Sequence, residues 1–507
     1  MNLSGKRTET LYLPAGTFKL PWSFRKYLKE ALSPVDVLLT IVQTINSYLS
    51  NYVLIILLIG TGLYFTIRTR FVQVRCFGEG LKRMFGGFSL HGGKQESGMS
   101  SFQALATAIA AQVGTGNIVG ACGAILVGGP GAIFWMWVIA FLGMSTNYAE
   151  AVLAQKTRSV DSDGTVHGGP VYYIKTAFTG KFGKFLAGFF AVAIILALGF
   201  MGCMVQSNSI AETCSNAFAI PSWVIGIIIV VVAGFIFLGG VSRLAAVTEK
   251  LVPLMAIVYL VGGIIVLVIN GPAVGEAFAL IFQFAFNPEA SIGGVTFGLI
   301  AALSQGAKRG LFSNEAGMGS TPHAHALANV NNPHEQGVVA IIAVFIDTFV
   351  VVSITALVTI TVLYTGDGAI AQGCFDGIVK TNMAQIAFGS VFGESGGNIF
   401  VAICLLFFAF STILSWNLFA KINVQYLFGK KAVPVFSVIA LVFIFLGSIL
   451  SNDLVWELAD MFNQLMVIPN AIALIALSSA VAMCAKTKGE KCELPDERKK
   501  TLSDAEK

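Results

Sequence analysis

Charge is what this chain has least of. Asp, Glu, Lys and Arg make up 12% of its 507 residues, about half of the roughly 25% usual in soluble domains. A deficit of that size, beside 55% hydrophobic residues, argues for a chain solvated by lipid. The eight cysteines (76, 122, 203, 214, 374, 404, 484 and 492) form no CxxC pair and no His/Cys cluster in the sequence, which argues against a metal site or a disulfide framework. Most stand in apolar stretches, where cysteine behaves as a small hydrophobe. No Walker loop, nucleophile elbow or HExxH is present, so neither an ATP-driven machine nor an enzyme is expected, and no cofactor. The net charge of +5 sits in loops and tail and offers nucleic acid no surface. Residues 1–48 hold Lys6, Arg7, Lys19, Arg25, Lys26 and Lys29 but no long apolar core, so they do not read as a cleaved signal peptide.

What the chain has in plenty is apolar runs of membrane length. About 20 apolar residues cross roughly 30 Å of hydrocarbon as a helix. Hydropathy predicts about eleven spans: a first near 49–67, then 101–128, 131–155, 183–207, 221–240, 245–269, 290–306, 338–364, 396–420, 433–450 and 458–484. The fold class is therefore an all-α membrane protein. Segments 276–288 and 375–393 are too short or too polar to span and read as interfacial or re-entrant pieces. The tract around PWSFRKYLKEALSPVDVLLTIVQTI is a candidate surface helix ahead of the first span.

Numbering the loops alternately, one set (68–100, 156–184, 243–250, 308–309, 421–431 and 486–507) carries 25 Lys and Arg, and the other only Lys380. Positive charge marks the cytoplasmic side, so the tail 485–507 is placed there, in a plasma (bacterial inner) membrane. The basic segment 1–48 then falls outside, the one discordant feature. After the extra helix 49–67, the spans divide into 101–269 and 290–484. Each half has five helices and opens with an interrupted one. An odd number per half requires opposite topologies, the inverted-repeat plan.

The interruptions carry the chemistry. The first is Gln112-Val113-Gly114-Thr115-Gly116-Asn117 and the second Lys308 to Gly317. Unpaired backbone in hydrocarbon costs several kcal/mol, so broken helix is kept where it lines a cavity. Freed N–H groups hold a carboxylate and freed carbonyls hold a hard cation such as Na⁺. The competing reading of the first break is a glycine-mediated helix crossing; two amides beside the glycines weigh against it. In the second, Arg309, Ser313, Asn314 and Glu315 form a polar constellation, either at membrane depth or in a cytoplasmic loop where Glu315 clamps Arg309 or Lys308. Asp347 stands alone in AIIAVFIDTFVVVSITALV, as a coupling-ion or proton-relay group or as a hydrogen-bonded acid. Ser411, Thr412 and Trp416 lie within about one and a half turns, able to complete an ion site and wall a pocket, or to back-bond their own helix. Gln206 and Asn208 are weaker candidates. His323, His325 and His334 read as solvated loop residues.

At these residues the chain resembles the alanine or glycine:cation symporter family. The resemblance covers about residues 50–485 and is most specific in QVGTGNIVG (112–120), RGLFSNEAGMGSTPHAHA (309–326) and FSTILSW (410–416). It implies a secondary symporter importing a small neutral amino acid, alanine or glycine, with sodium or in some members protons as the coupling ion. It also implies an extra amino-terminal helix and the five-plus-five inverted repeat shared with neurotransmitter:sodium symporters. Carried over on Val113 to Asn117, the resemblance places the substrate carboxylate on the backbone of Thr115 and Gly116. It assigns sodium to the carbonyls of Ala110 and Val113 with Ser411 and Thr412, and puts Asn117 in a second sodium site. Phe312 and Trp416 become pocket walls, Gln206 a polar substrate contact, and Arg309, Asn314, Glu315 and Asp347 coupling or gating groups. The alternatives are a carrier of another small solute, a channel, which lacks a repeated filter sequence, and a membrane enzyme, which lacks a catalytic constellation.

Overall fold

Where no water is available to pair the backbone, a chain segment satisfies itself as helix, and almost every apolar run here does so. The computed structural model describes residues 34–86, 98–162, 164–287, 289–292, 294–450 and 452–494; the expectations for residues 1–33 and for the tail beyond 494 lie outside them. The main helices are α1 (Val37–Arg68), α2 (Ser101–Gln112), α3 (Gly116–Gly128), α4 (Gly131–Thr157), α5 (Gly180–Phe218), α6 (Ser222–Phe237), α7 (Gly240–Ile269), α8 (Leu299–Asn314), α9 (Pro333–Leu363), α10 (Glu394–Phe428), α11 (Val433–Ile449) and α12 (Asn452–Ala476). Among the described residues eight are long and apolar enough to cross a membrane, and the bent pair α2–α3 makes a ninth. The 16-residue helices α6 and α8 complete the eleven expected. The two short segments form helices Gly271–Phe286 and Met383–Phe392.

Three boundaries differ from expectation. The first span begins well before residue 49, because no glycine or proline interrupts residues 35–59. The extension docks on α12: Asn46 Nδ2 donates to the Glu457 carboxylate at 2.5 Å and Ser50 to Gln464 at 3.0 Å. The expected span 290–306 opens instead as a β-hairpin, Glu289–Ile292 paired antiparallel with Val295–Gly298. Gly294, at φ +81°, takes the left-handed conformation of the turn between the β-branched flanks Ile292 and Val295. Helix α8 starts only at Leu299 and runs past the expected end at Gly306 to Asn314; the helix breaks at Glu315, not at Lys308.

The core sits where α5 packs on α10 and α11, α4 on α8 and α9, and α2 on α7 and α10. Lipid-facing flanks are apolar and uncovered, as along α6 (Ile228, Val231, Phe235) and α11 (Val435, Val438, Val442). Inside, small residues let backbones approach. At Gly447 of α11 a Cβ would fall 2.5 Å from the Met204 Cα and 2.6 Å from its carbonyl oxygen. Gly447→Val should therefore destabilise the protein by about 1–3 kcal/mol and lower its melting temperature in detergent. Gly188→Val, where nothing lies within 4 Å, should not; equal melting temperatures for the two variants would refute this packing.

Candidate functional site

Helix α2 ends because Val113 leaves the helical region (φ −79°, ψ 92°), and the axis turns 45° into α3. Side chains take up four of the backbone groups released by the break. The Gly114 N–H donates to Asn117 Oδ1 at 2.8 Å, and the Thr115 N–H to Gln206 Oε1 of α5 at 3.0 Å, joined there by the Thr115 hydroxyl. The Ala110 and Val113 carbonyls face Thr412 Oγ1 of α10 at 2.8 and 3.4 Å. That hydroxyl also lies 3.1 Å from the Phe408 carbonyl, to which Ser411 Oγ donates at 2.8 Å. Three carbonyls thus surround one hydroxyl, which has a single proton to give. Such a surplus of oxygen lone pairs is the donor chemistry of a hard cation. Gly114 keeps the backbones close: a Cβ there would fall 2.4 Å from Thr412 Oγ1.

A second polar cluster centres on Asp347, fully buried on α9. Its carboxylate accepts from Asn117 Nδ2 at 2.5 Å, Ser313 Oγ at 2.9 and 3.1 Å and Thr348 Oγ1 at 2.7 Å. It has no cationic side-chain partner among the described residues. Asn314 ties in through its side chain to Thr348 at 3.2 Å, and its carbonyl accepts from Gln112 Nε2 at 2.7 Å. The two broken helices therefore meet side by side: a Cβ on Gly116 would lie 3.0 Å from the Ser313 Cα and 3.2 Å from the Phe312 ring.

The second break starts at Glu315, left-handed at φ 58°. The clamp of Glu315 with Arg309 or Lys308, the alternative tied to the loop reading, does not form. Glu315 accepts from Trp416 Nε1 at 2.5 Å and from the Ser320 hydroxyl. Lys308 and Arg309 reach the other way along α8, to Asp460 of α12 at 2.8 and 3.2 Å. Arg309 also stacks over Trp456, 4.6 Å from the ring centroid, on the same ring that Lys380 covers at 5.0 Å. The pair therefore lies within the bundle on the Lys380 side, not in a cytoplasmic loop, because Asp460 offsets its charge. Phe312 packs edge-on to Trp416 with centroids 5.8 Å apart, and on Trp456 at 4.9 Å. Asn208 lies outside this assembly, bound to the Gly447 and Leu450 carbonyls.

The histidines are not solvated; all three are buried. His323 Nδ1 donates to the Ser320 carbonyl at 2.8 Å while Nε2 accepts from Asn423 at 2.8 Å, and His325 Nδ1 pairs with Gln336 at 2.9 Å. Burial pushes His323 and His325 down to about 4, so they remain neutral. Folding also brings His334 to Cys76 and Glu79, with potential ligand atoms of the three within 4.8 Å of one another. The Glu79 charge is already met by Arg83 at 3.2 Å and Lys488 at 3.8 Å.

Glu150 is the residue sequence reasoning passed over. It is fully buried on α4 and holds the second break by accepting the Gly317 and Gly319 N–H groups at 3.2 and 2.9 Å and Asn470 Nδ2 at 2.5 Å. Both glycines are left-handed (φ +88° and +81°), which turns their N–H groups toward it. A carboxylate inside the expected span 131–155 was the available signal, the same one that marked Asp347.

Paired helix breaks meeting at a buried polar cluster define the class, a multi-pass membrane transporter. The solved structure of MhsT in complex with L-phenylalanine has the same fold, with a TM-score of 0.52 at 16% identity over 77% of this chain and all of MhsT. The sodium/alanine symporter AgcS of Methanococcus maripaludis is 38% identical over 444 residues, 87% of this chain and 95% of AgcS. The putative sodium/proton-dependent alanine carrier protein YrbD of Bacillus subtilis is 40% identical over 457 residues, 88% of this chain and 91% of YrbD. The profile of the sodium:alanine symporter family matches residues 35–499, and the chain belongs to that family.

Glu150→Ala leaves the buried Gly317 and Gly319 N–H groups without an acceptor and Asn470 Nδ2 with the Gly317 carbonyl alone, and should cost about 2–5 kcal/mol, seen as a large drop in melting temperature. Glu150→Gln, which keeps one acceptor oxygen, should cost less. A melting temperature unchanged in Glu150→Ala would show that Glu150 does not hold the second break.

Proposed function

We propose that this protein imports alanine or glycine across the plasma membrane, driven by sodium. One observation carries the reading: the carbonyls of Ala110, Val113 and Phe408 and the hydroxyls of Ser411 and Thr412 converge beside the Thr115 N–H. The Thr412 hydroxyl keeps its proton and turns it away, and sodium takes the place of that hydrogen bond among those oxygens. The substrate carboxylate takes the donors now given to Gln206 Oε1, an oxygen accepting from both the Thr115 N–H and its hydroxyl, and extends to the backbone of Gly116. Gln206 then turns its amide nitrogen to the substrate. Cation and carboxylate occupy neighbouring sites, so each strengthens binding of the other, the reciprocal linkage that symport requires.

Phe312 and Trp416 wall the pocket and leave room for little more than a methyl side chain. Asn117, Ser313 and Asp347 form a second cation position between the breaks, where the buried carboxylate supplies the charge. Arg309 with Asp460 closes the Lys380 side, and Glu315 couples the Trp416 wall to the second break. With Lys308 and Arg309 moved to the outer set, 23 Lys and Arg remain on the inner side against three outside. The carboxy-terminal tail is thus cytoplasmic and the Arg309–Asp460 closure external. Alternating access rocks the two halves, 101–269 and 290–484, against each other. The names of AgcS and YrbD support sodium and alanine, and YrbD's admits protons as the second reading, with Asp347 as the carrier of the proton.

Uptake of radiolabelled alanine into proteoliposomes should vanish when choline replaces sodium, and Thr412→Ala should raise the sodium concentration for half-maximal uptake about tenfold, the weight of one lost ligand of roughly 1.4 kcal/mol. Undiminished uptake in choline under a proton gradient would transfer the coupling to protons. In the same vesicles alaninamide, lacking the anion, should fail to compete with alanine. Equal competition by amide and free acid would remove the carboxylate from Thr115 and Gly116.

A further inference from the structure

Where α1 ends, the chain turns through two consecutive left-handed residues, Arg70 (φ 56°) and Phe71 (φ 55°). Neither is glycine, and such a conformation costs about 1–2 kcal/mol per residue, so packing must hold it. Beside the turn, against the carboxy-terminal helix Ser478–Thr487, lies a cavity of about 930 Å³ lined by Arg68, Arg70, Arg75, Lys486, Lys491 and Glu493. Five cations thus face one carboxylate, and none of the five forms an ion pair among the described residues. The walls are pinned by hydrogen bonds. Arg75 Nη2 donates to the Thr69 and Ala485 carbonyls at 3.2 and 3.0 Å, and the Tyr64 hydroxyl bonds Ser478 at 2.8 Å. Ile67 of the lining is 61% exposed, as are its neighbours along the turn, Phe71 at 52% and Val74 at 59%.

We propose that this cavity binds the phosphate headgroup of an anionic phospholipid, whose acyl chains lie along Ile67, Phe71 and Val74. The observations complement each other in charge and position: uncompensated guanidinium and ammonium groups at the end of a membrane helix, with an apolar rim facing the hydrocarbon. Arginine's planar fork matches phosphate oxygens bidentately, and each basic residue at an anionic membrane surface strengthens binding about fivefold. A lipid seated there fastens α1, which stands outside both five-helix halves, to the carboxy-terminal helix.

The test is native mass spectrometry of the full chain in detergent, titrated with phosphatidylglycerol or phosphatidylcholine. At least one phosphatidylglycerol should bind about tenfold or more tighter than phosphatidylcholine, with a preference that shrinks as salt rises. The variant Arg70→Gln/Lys486→Gln/Lys491→Gln, which spares the structural Arg75, should lose that preference, and Lys486→Arg/Lys491→Arg should keep it. Single Lys486→Gln and Lys491→Gln variants, each weakening phosphatidylglycerol several-fold, serve if the triple variant does not fold. Equal retention of the two lipids by wild type, or full preference surviving in the glutamine variants, would overturn the proposal. So would inorganic phosphate displacing the lipid beyond the effect of sodium chloride at equal ionic strength, since a site for a free small anion needs no acyl chain.

Discussion

Hydrocarbon gives no hydrogen bonds, so a helix that breaks at membrane depth must find partners for its backbone in other parts of the chain. The break after Gln112 depends on that constraint, and the architecture around it answers it group by group. Gln206 comes from α5, Thr412 from α10, and Asn117 folds back from the next turn. The second break is supported in the same way by Glu150 from α4 and Asn470 from α12. Each side chain that satisfies a freed group also fixes the position of the helix that carries it. The helix breaks therefore organise the bundle as much as they interrupt it.

This economy also explains why the groups are suited to exchange partners. A donor satisfied by a neutral amide oxygen, as the Thr115 N–H is by Gln206, gains when an anion takes that place, because charge-assisted hydrogen bonds are the stronger ones. A carbonyl facing a shared hydroxyl gains when a cation takes the place of that shared hydrogen bond. In the structure these polar groups are closed on one another. Asp347 differs: its buried carboxyl group is met by neutral donors from Asn117, Ser313 and Thr348, with no cationic side chain beside it among the described residues.

Charge at depth follows the same logic elsewhere. Lys308 and Arg309 were expected to mark a loop because ionic groups rarely stay within a span. They remain inside α8 because Asp460, 151 positions later, lies against both. The histidines between the second break and α9 stay buried because Ser320, Asn423 and Gln336 supply their partners. Local sequence around 308–334 is polar enough to read as a cytoplasmic loop; only distant partners make it core.

The sequence by itself determined the lipid-embedded helical class, since scarcity of charge and the length of apolar runs are set by hydrocarbon thickness and hold whatever the packing. It also marked the first break, because glycine flanked by amides is a local signal, and with it Thr115 and Asn117; Ala110, Val113 and Thr412 are joined in the sequence only through the family resemblance, since no local pattern links residues 110 and 412. The tertiary structure alone decided which polar groups pair. The second break moved from Lys308 to Glu315, Glu150 emerged as its support, and Phe408 joined the oxygen cluster through a carbonyl that no side-chain pattern reports. Hydropathy records what each segment prefers as solvent. A hydrogen bond between residues 101 positions apart, such as Trp416 to Glu315, depends on how the helices cross, and crossing is set by many close-packed contacts, such as that at Gly447, that no local window contains.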